Sequence, residues 1–231
     1  MIPEITRLYE ALQYGSGQGA SASGLFPKVC NGLVPEAIEK NPLLEGFLAY
    51  LKREGDRFRK EPIPPLPYSL FILFDTEGDR KRFEEPYFER RNRLLVYGLS
   101  SWLWKRPEDI SALQDIIWAI CDEYSWCLPA HMGGKSRSPA SEAASSLGII
   151  TKPRFDTALT IDLFACETGL ALAECCAALD GQISPVVLER ARKEVYRRLI
   201  KSYLEYGAFQ HWELLKMNWC SVCGGGLAAA A

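Results

Sequence analysis

From Phe155 to Leu179 the chain is apolar almost all round any helix drawn through it. A helix of that kind has to be covered on every side. The segments flanking it are one-sided. Ile110, Leu113, Ile116, Ile117, Ile120 and Tyr124 fall on one stripe of a helix that opens with Pro107, Glu108 and Asp109, and ends near Ser125. Val187, Ala191, Val195, Leu199 and Tyr203 fall on one stripe of Val186 to Tyr206, with the Arg and Lys residues outward. One-sided helices alternating with an all-round apolar one require two helical layers, an amphipathic outer layer around a buried inner one. The chain is therefore expected to be all-α, with Ile110–Tyr124 and Val186–Tyr206 outer, and Phe155–Leu179 and Asn218–Ala231 inner.

Antiparallel packing of these pairs brings both outer-to-inner connections, Ser125–Arg154 and Gly207–Met217, to one end. The first connection carries Trp126 and His131. The second carries His211 and Trp212, just ahead of Asn218 and Trp219. Patterning alone thus gathers both histidines of the chain beside three of its tryptophans, and a cleft is expected there.

Punctuation supports these boundaries. Proline with two acids at 107–109 suits a helix N-terminus, Ser184-Pro185 reads as an N-cap followed by proline in the first turn, and Gly181 and Gly207 read as stops. Tyr87–Trp104 is helical, with Leu94, Leu95, Leu99, Trp102 and Leu103 at helical spacing. Residues 1–65 form a separate helical and irregular segment: a Gly/Ser/Ala stretch at Gly15–Gly24, a helix-compatible Pro35–Arg59, and a connector with Pro62, Pro64, Pro65 and Pro67. Ser69–Phe74 fits either a strand or a buried turn of helix.

Lys and Arg total 27 against 29 Asp and Glu, a net charge of -2, so no basic field draws in nucleic acid. Any anionic ligand must be met locally. The opening Met1-Ile2-Pro3-Glu4 has no signal-like pattern, which points to a cytoplasmic protein. Asp162, Glu167 and Glu174 within Ala158–Leu179 exclude a membrane span. The eight cysteines sit mostly inside apolar helical patterns and read as reduced, buried thiols.

Trp219-Cys220-Ser221-Val222-Cys223 has the outline of a thioredoxin-type motif, but no strand pattern precedes it, and zinc would need a second ligand pair. Close packing of small side chains ahead of Gly224-Gly225-Gly226 explains the thiols better. No metal or cofactor is expected. Asn218 fits an N-cap and equally a ligand-binding role, since a helix N-terminus serves both. His131 is either a hydrogen-bonded loop histidine or a functional one. Asp162 and Glu167 are about 140° apart around a helix and do not form a facing pair; each reads as a buried carboxylate bonded to a helix end or an Arg. Arg90-Arg91-Asn92-Arg93 reads as a solvated or ion-paired face, with phosphate or sulfate binding as the alternative.

Four motifs in order, Phe83-Glu84 through Arg90-Arg91, Trp126-Cys127-Leu128-Pro129-Ala130-His131, Asp162-Leu163-Phe164-Ala165-Cys166-Glu167-Thr168 and Asn218-Trp219-Cys220-Ser221-Val222-Cys223, resemble the N-terminal helical domain of heparinase II/III-like proteins. The resemblance covers about Leu66 to Ala231. It implies an (α/α) toroid over 66–231, followed in the family by further toroid helices and β-sandwich domains, and an acidic polysaccharide or oligosaccharide as partner. The implied reaction is β-elimination on uronic-acid-containing glycans: the carboxylate is neutralised, a Tyr or His removes the C5 proton, and the glycosidic oxygen leaves with a proton. It maps the carboxylate-neutralising Asn onto Asn218. Many members follow that Asn with His, where this chain has Trp219, suited to stacking on a sugar ring. The family's catalytic Tyr would fall beyond Ala231, so the expectation is an incomplete toroid, inactive alone, with Asn218 catalytic and Trp219, His131, Trp126, His211 and Trp212 binding substrate. The alternative is a non-catalytic helical module that binds glycan or protein, against which the absence of an internal repeat argues. An unsaturated-uronyl hydrolase would want paired catalytic Asp residues, which Asp156 and Asp162 fit poorly.

Overall fold

A computed structural model describes residues 35–132, 156–206, 210–214 and 217–231. Among these every regular element is helical and no strand occurs. Two compact units divide at Pro42 and Leu43. In the first, the described residues 35–42 carry the short helix α1 (Pro35–Glu39).

The second unit holds α2 (Glu45–Arg59), α3 (Tyr68–Phe71), α4 (Leu73–Glu77), α5 (Lys81–Trp104), α6 (Pro107–Cys121), α7 (Leu163–Ala178), α8 (Pro185–Val195), α9 (Ser202–Tyr206), α10 (His211–Leu214) and α11 (Trp219–Ala230). Short 3-10 turns at Pro129–His131 and Thr157–Leu159 precede α7. The segment Ser69–Phe74, undecided by periodicity, is helical. The division expected at 65/66 falls inside the second unit, because α2 packs on α5 and Tyr50 donates its hydroxyl to Asn92 Oδ1 at 2.9 Å.

Helices α5 and α7 carry the core. Helix α5 packs against α2, α3, α6 and α7, and α7 against α5, α8 and α11. The buried stripe of α5 runs Phe83, Tyr87, Arg90, Leu94, Tyr97 and Ser101, at the i, i+3, i+4 spacing of one helical face; Leu95 lies half exposed on the other side. Three glycines set close approaches, Gly169 of α7 lying against the Leu199 side chain. A Cβ on Gly98 would lie 2.8 Å from Cys175 Sγ, and one on Gly226 would lie 2.9 Å from Cys166 Cβ, so α5 and α11 sit against α7 where side chains would hold them off.

Several expectations change. Helix α7 begins at Leu163 and is not covered on every side, since Glu167, Glu174, Ala177 and Ala178 are exposed. Helix α11, expected in a buried inner layer, buries only Cys223 and Leu227, both toward one side. Tyr124 lies beyond the end of α6 and is exposed, packing edge-on against Phe71. The Ser184 side chain makes no cap, although Pro185 does open α8.

Arg198, expected outward, is buried. Between α8 and α9 the helix widens into a π-turn over Tyr196–Lys201, in which the adjacent Arg198 and Leu199 are both buried, continuing the inward stripe of Val195. Arg198 then donates to the carbonyls of Tyr124 and Glu123 past the end of α6, pairs with Glu194, and sits 5.0 Å from the Trp126 ring centroid. It closes carbonyls that the helix end leaves open. Among the described residues no helix is long and apolar enough to cross a membrane.

Candidate functional site

Asp162 organises one end of the bundle. An Asp directly before an apolar helical run is an N-cap signal, and here Asp162 Oδ1 accepts the Ala165 N–H at 2.7 Å to start α7. Its second oxygen accepts the Leu128 N–H at 3.2 Å and lies 2.7 Å from His131 Nδ1. The carboxylate is fully buried. As it offers only lone pairs, hydrogen-bond chemistry assigns the proton to Nδ1 and leaves Nε2 as the acceptor of the neutral ring. Nε2 faces the guanidinium of Arg80, with Nη2 at 3.5 Å.

Aromatic packing fixes the imidazole. Phe164 stacks parallel to it with centroids 5.9 Å apart, and Trp219 meets it edge-on at 4.9 Å. Trp219 is half-buried at the first position of α11. Asn218, immediately before it, is exposed; its carbonyl accepts the Ser221 and Val222 N–H groups, and its carboxamide does not cap the helix. The chain crossings expected to converge from patterning thus bring His131, Asp162 and Trp219 into one cluster, with Asn218 adjoining it in sequence.

Trp126 and Trp212 lie beneath this surface. Trp126 is 1% exposed, and its indole N–H donates to Ile120 O at 2.9 Å. Trp212 is 2% exposed, and its indole N–H donates to Ile161 O at 2.8 Å. Both were expected to bind substrate. Instead their ring faces are spent on packing and their donors on backbone carbonyls, so they brace the loops that carry His131 and Asp162. The side chain of His211 lies outside the described residues, as do residues 133–155.

The bracing extends to residues that sequence reasoning passed over. Ile161, next to Asp162, has its N–H taken by Gln210 Oε1 at 3.2 Å and its carbonyl by Trp212, so the 210–212 segment clamps it from both sides. Tyr87 donates its hydroxyl to Trp126 O at 2.6 Å. Burial pushes that phenol well above its ordinary range, the Arg91 guanidinium over its ring opposing the shift. Arg91 forks onto both oxygens of Glu123 at 2.6 Å and reaches Thr168 Oγ1, while Arg90 adds a third bond to Glu123 at 3.1 Å. The Arg90–Arg93 run is therefore a buried ion-paired network rather than a solvated face.

The thiols are held as packing groups. Burial pushes Cys121 and Cys175 up to about 12, and the Cys223 contact with burial raises Cys166. Cys220 is exposed, and its thiol donates to Trp212 O at 2.7 Å. Among the described residues no group of three or more His, Cys, Asp or Glu is placed to hold a metal ion.

At the opposite end of α7, which at 1.5 Å per residue spans about 24 Å, an open groove of about 400 Å³ is lined by Asp180, Ile183, Leu188, Glu189, Arg192 and Lys193. It offers mixed charge and no ring to stack on. The His131 end has the richer chemistry: an imidazole aligned by a buried carboxylate, an exposed carboxamide, an indole edge and a guanidinium. Such a set can bind an anion, stack on a flat ligand and hold a proton. The fold and site define an all-α protein with a carboxylate-aligned histidine at a helix-terminal cluster. No family model and no curated protein matches the chain.

Proposed function

We propose that α5 to α11 form part of an (α/α) toroid of the heparinase II/III-like polysaccharide lyases, and that the His131–Trp219–Asn218 end binds a uronic-acid-containing glycan. The observation that carries this reading is the 4.9 Å contact between His131 and Trp219, which joins two motifs lying far apart in the chain beside the exposed Asn218. β-Elimination needs the uronate carboxylate neutralised before C5 becomes acidic. The Asn218 carboxamide, unused in capping, is a donor for that carboxylate at the positive end of α11. Trp219 offers a sugar ring an apolar face, and His131, held by Asp162, offers a polar contact of fixed direction. These residues supply recognition and charge neutralisation; removal of the C5 proton is not assigned to any of them.

The test is a panel of polyuronides incubated with the complete gene product, read by the absorbance of a new C4–C5 double bond. Unsaturated product that disappears in Asn218→Ala supports the lyase reading. Saturable binding without product, lost in Trp219→Ala, moves the protein to a non-catalytic glycan-binding module. Neither binding nor product from folded protein rejects both.

A further inference from the structure

We infer that Arg80 and His131 together form an anion site whose occupation takes up a proton: a carboxylate or sulfate oxygen lodged between guanidinium and imidazole is held with His131 as imidazolium. This rests on the glycan reading only for its natural ligand, an acidic sugar.

The geometry is that of two basic groups in contact. Arg80 Nη2 and His131 Nε2 are 3.5 Å apart, a long N–H···N approach in which Nε2 has to act as the acceptor. Once Nε2 is protonated, both groups are donors with no acceptor between them. An anionic oxygen resolves the conflict by accepting from both. Two such bonds to one oxygen separate the nitrogens by about 4.6 Å, so one partner has to retreat by about 1 Å. His131 cannot, because Nδ1 is anchored on buried Asp162 and its ring lies against Phe164 and Trp219. Arg80 can: its side chain is 45% exposed, and its hold is an i,i+4 pair from Nε to Glu84 at 2.7 Å, which leaves the terminal nitrogens to turn toward a ligand. A guanidinium fork is suited to carboxylate and sulfate alike.

The surrounding charges permit the protonation. From α7, Asp162 faces the ring and compensates an imidazolium. From the start of α5 come Arg80 and, behind it, Glu84. Helix α4 packs on the 129–131 turn with Asp75 and Glu77 exposed, the latter paired with Arg82. Helix α11 presents Trp219 and the Cys220 thiol, which donates to Trp212 O. Among the described residues, Arg80 is the cation shown facing Nε2. A bound anion favours the charged ring, so the added affinity is fully present below the imidazole's titration and is lost as pH rises through it, by up to about tenfold per pH unit.

The experiment follows the His131 imidazole by NMR between about pH 5 and 8, with inorganic sulfate and separately with a glucuronate-containing tetrasaccharide, in the wild-type chain, Arg80→Gln and His131→Gln. Sulfate is expected to move the His131 titration to higher pH in wild type and not in Arg80→Gln, whose exposed site leaves folding intact. Tetrasaccharide binding is expected to weaken as pH rises through the imidazole's titration in wild type, by up to about tenfold per pH unit, and to be flat with pH in His131→Gln. Anions that bind without moving the imidazole overturn the inference and leave the glycan reading standing. Sulfate that moves the imidazole while the tetrasaccharide fails to bind keeps the anion site and removes the glycan reading. If folded protein shows no response to either probe, the inference is overturned.

Discussion

Two buried carboxylates, Glu123 and Asp162, lie in neighbouring parts of the same core and do different work. Glu123 is closed by two arginines that never give up a proton, one of them forked onto both oxygens, and its guanidinium partners are themselves consumed by backbone carbonyls and Thr168. Asp162 is closed by two backbone N–H groups and one histidine, and that histidine reaches toward Arg80 and Trp219. A buried charge is thus no mark of a functional site on its own. What distinguishes Asp162 is that one of its partners can titrate and touches groups near the surface.

The comparison breaks most readily at Glu123. Replacing it with Ala leaves Arg90 and Arg91 buried without their counterion, and a loss of about 3–5 kcal/mol is expected in denaturant unfolding. A loss under about 1 kcal/mol would mean that the arginines find water and that the network is not structural. Trp126→Ala should cost a similar amount, about 3–5 kcal/mol, by opening a cavity under the 127–131 loop. Asp162→Ala removes a helix cap and a charge-assisted bond to His131, for which about 2–3 kcal/mol is expected. Its sharper readout is glycan affinity, which should fall even in buffer conditions where the variant is fully folded. The smallest stability change, within about 1 kcal/mol, belongs to half-buried Trp219→Ala, yet that variant should weaken glycan binding about tenfold. The reverse pattern, a large loss of stability with unchanged binding, would make Trp219 another brace like Trp126.

Much of this was legible in the sequence. Apolar periodicity located α5, α6, α7 and α8, and the rule that antiparallel layers bring connections to one end foretold that the His131 loop would meet the start of α11. Proline signals marked the starts of α6 and α8 to within a residue, whereas the end expected near Ser125 falls at Cys121. What stayed hidden was which charged residues turn inward. Arg90 stands three residues from Tyr87 and four from Leu94, on the buried stripe itself, and Arg198 is three residues beyond Val195 and seven beyond Ala191. Both look solvent-facing by type and core-facing by position. Their partners, at Glu123 and at the carbonyls ending α6, are distant in sequence, so the pairing could not be read locally. The two tryptophans expected at the binding surface and found buried share this cause: an indole near a cleft and an indole under it have the same sequence signature, and burial with the hydrogen bond to Ile120 or Ile161 tells them apart. Gln210 gave no signal beyond its place ahead of Trp212.

The central claim is that the Asp162-aligned His131, together with Trp219, forms the surface that an acidic glycan contacts. The most direct measurement is an NMR titration of the folded chain with a glucuronate-containing tetrasaccharide, following the His131 imidazole and the Trp219 indole together. The account predicts that both sets of signals move along one saturable curve, while signals from Trp126, Trp212 and the groove at Asp180–Lys193 change little. Saturable shifts confined to that groove, with His131 and Trp219 unmoved, would contradict it.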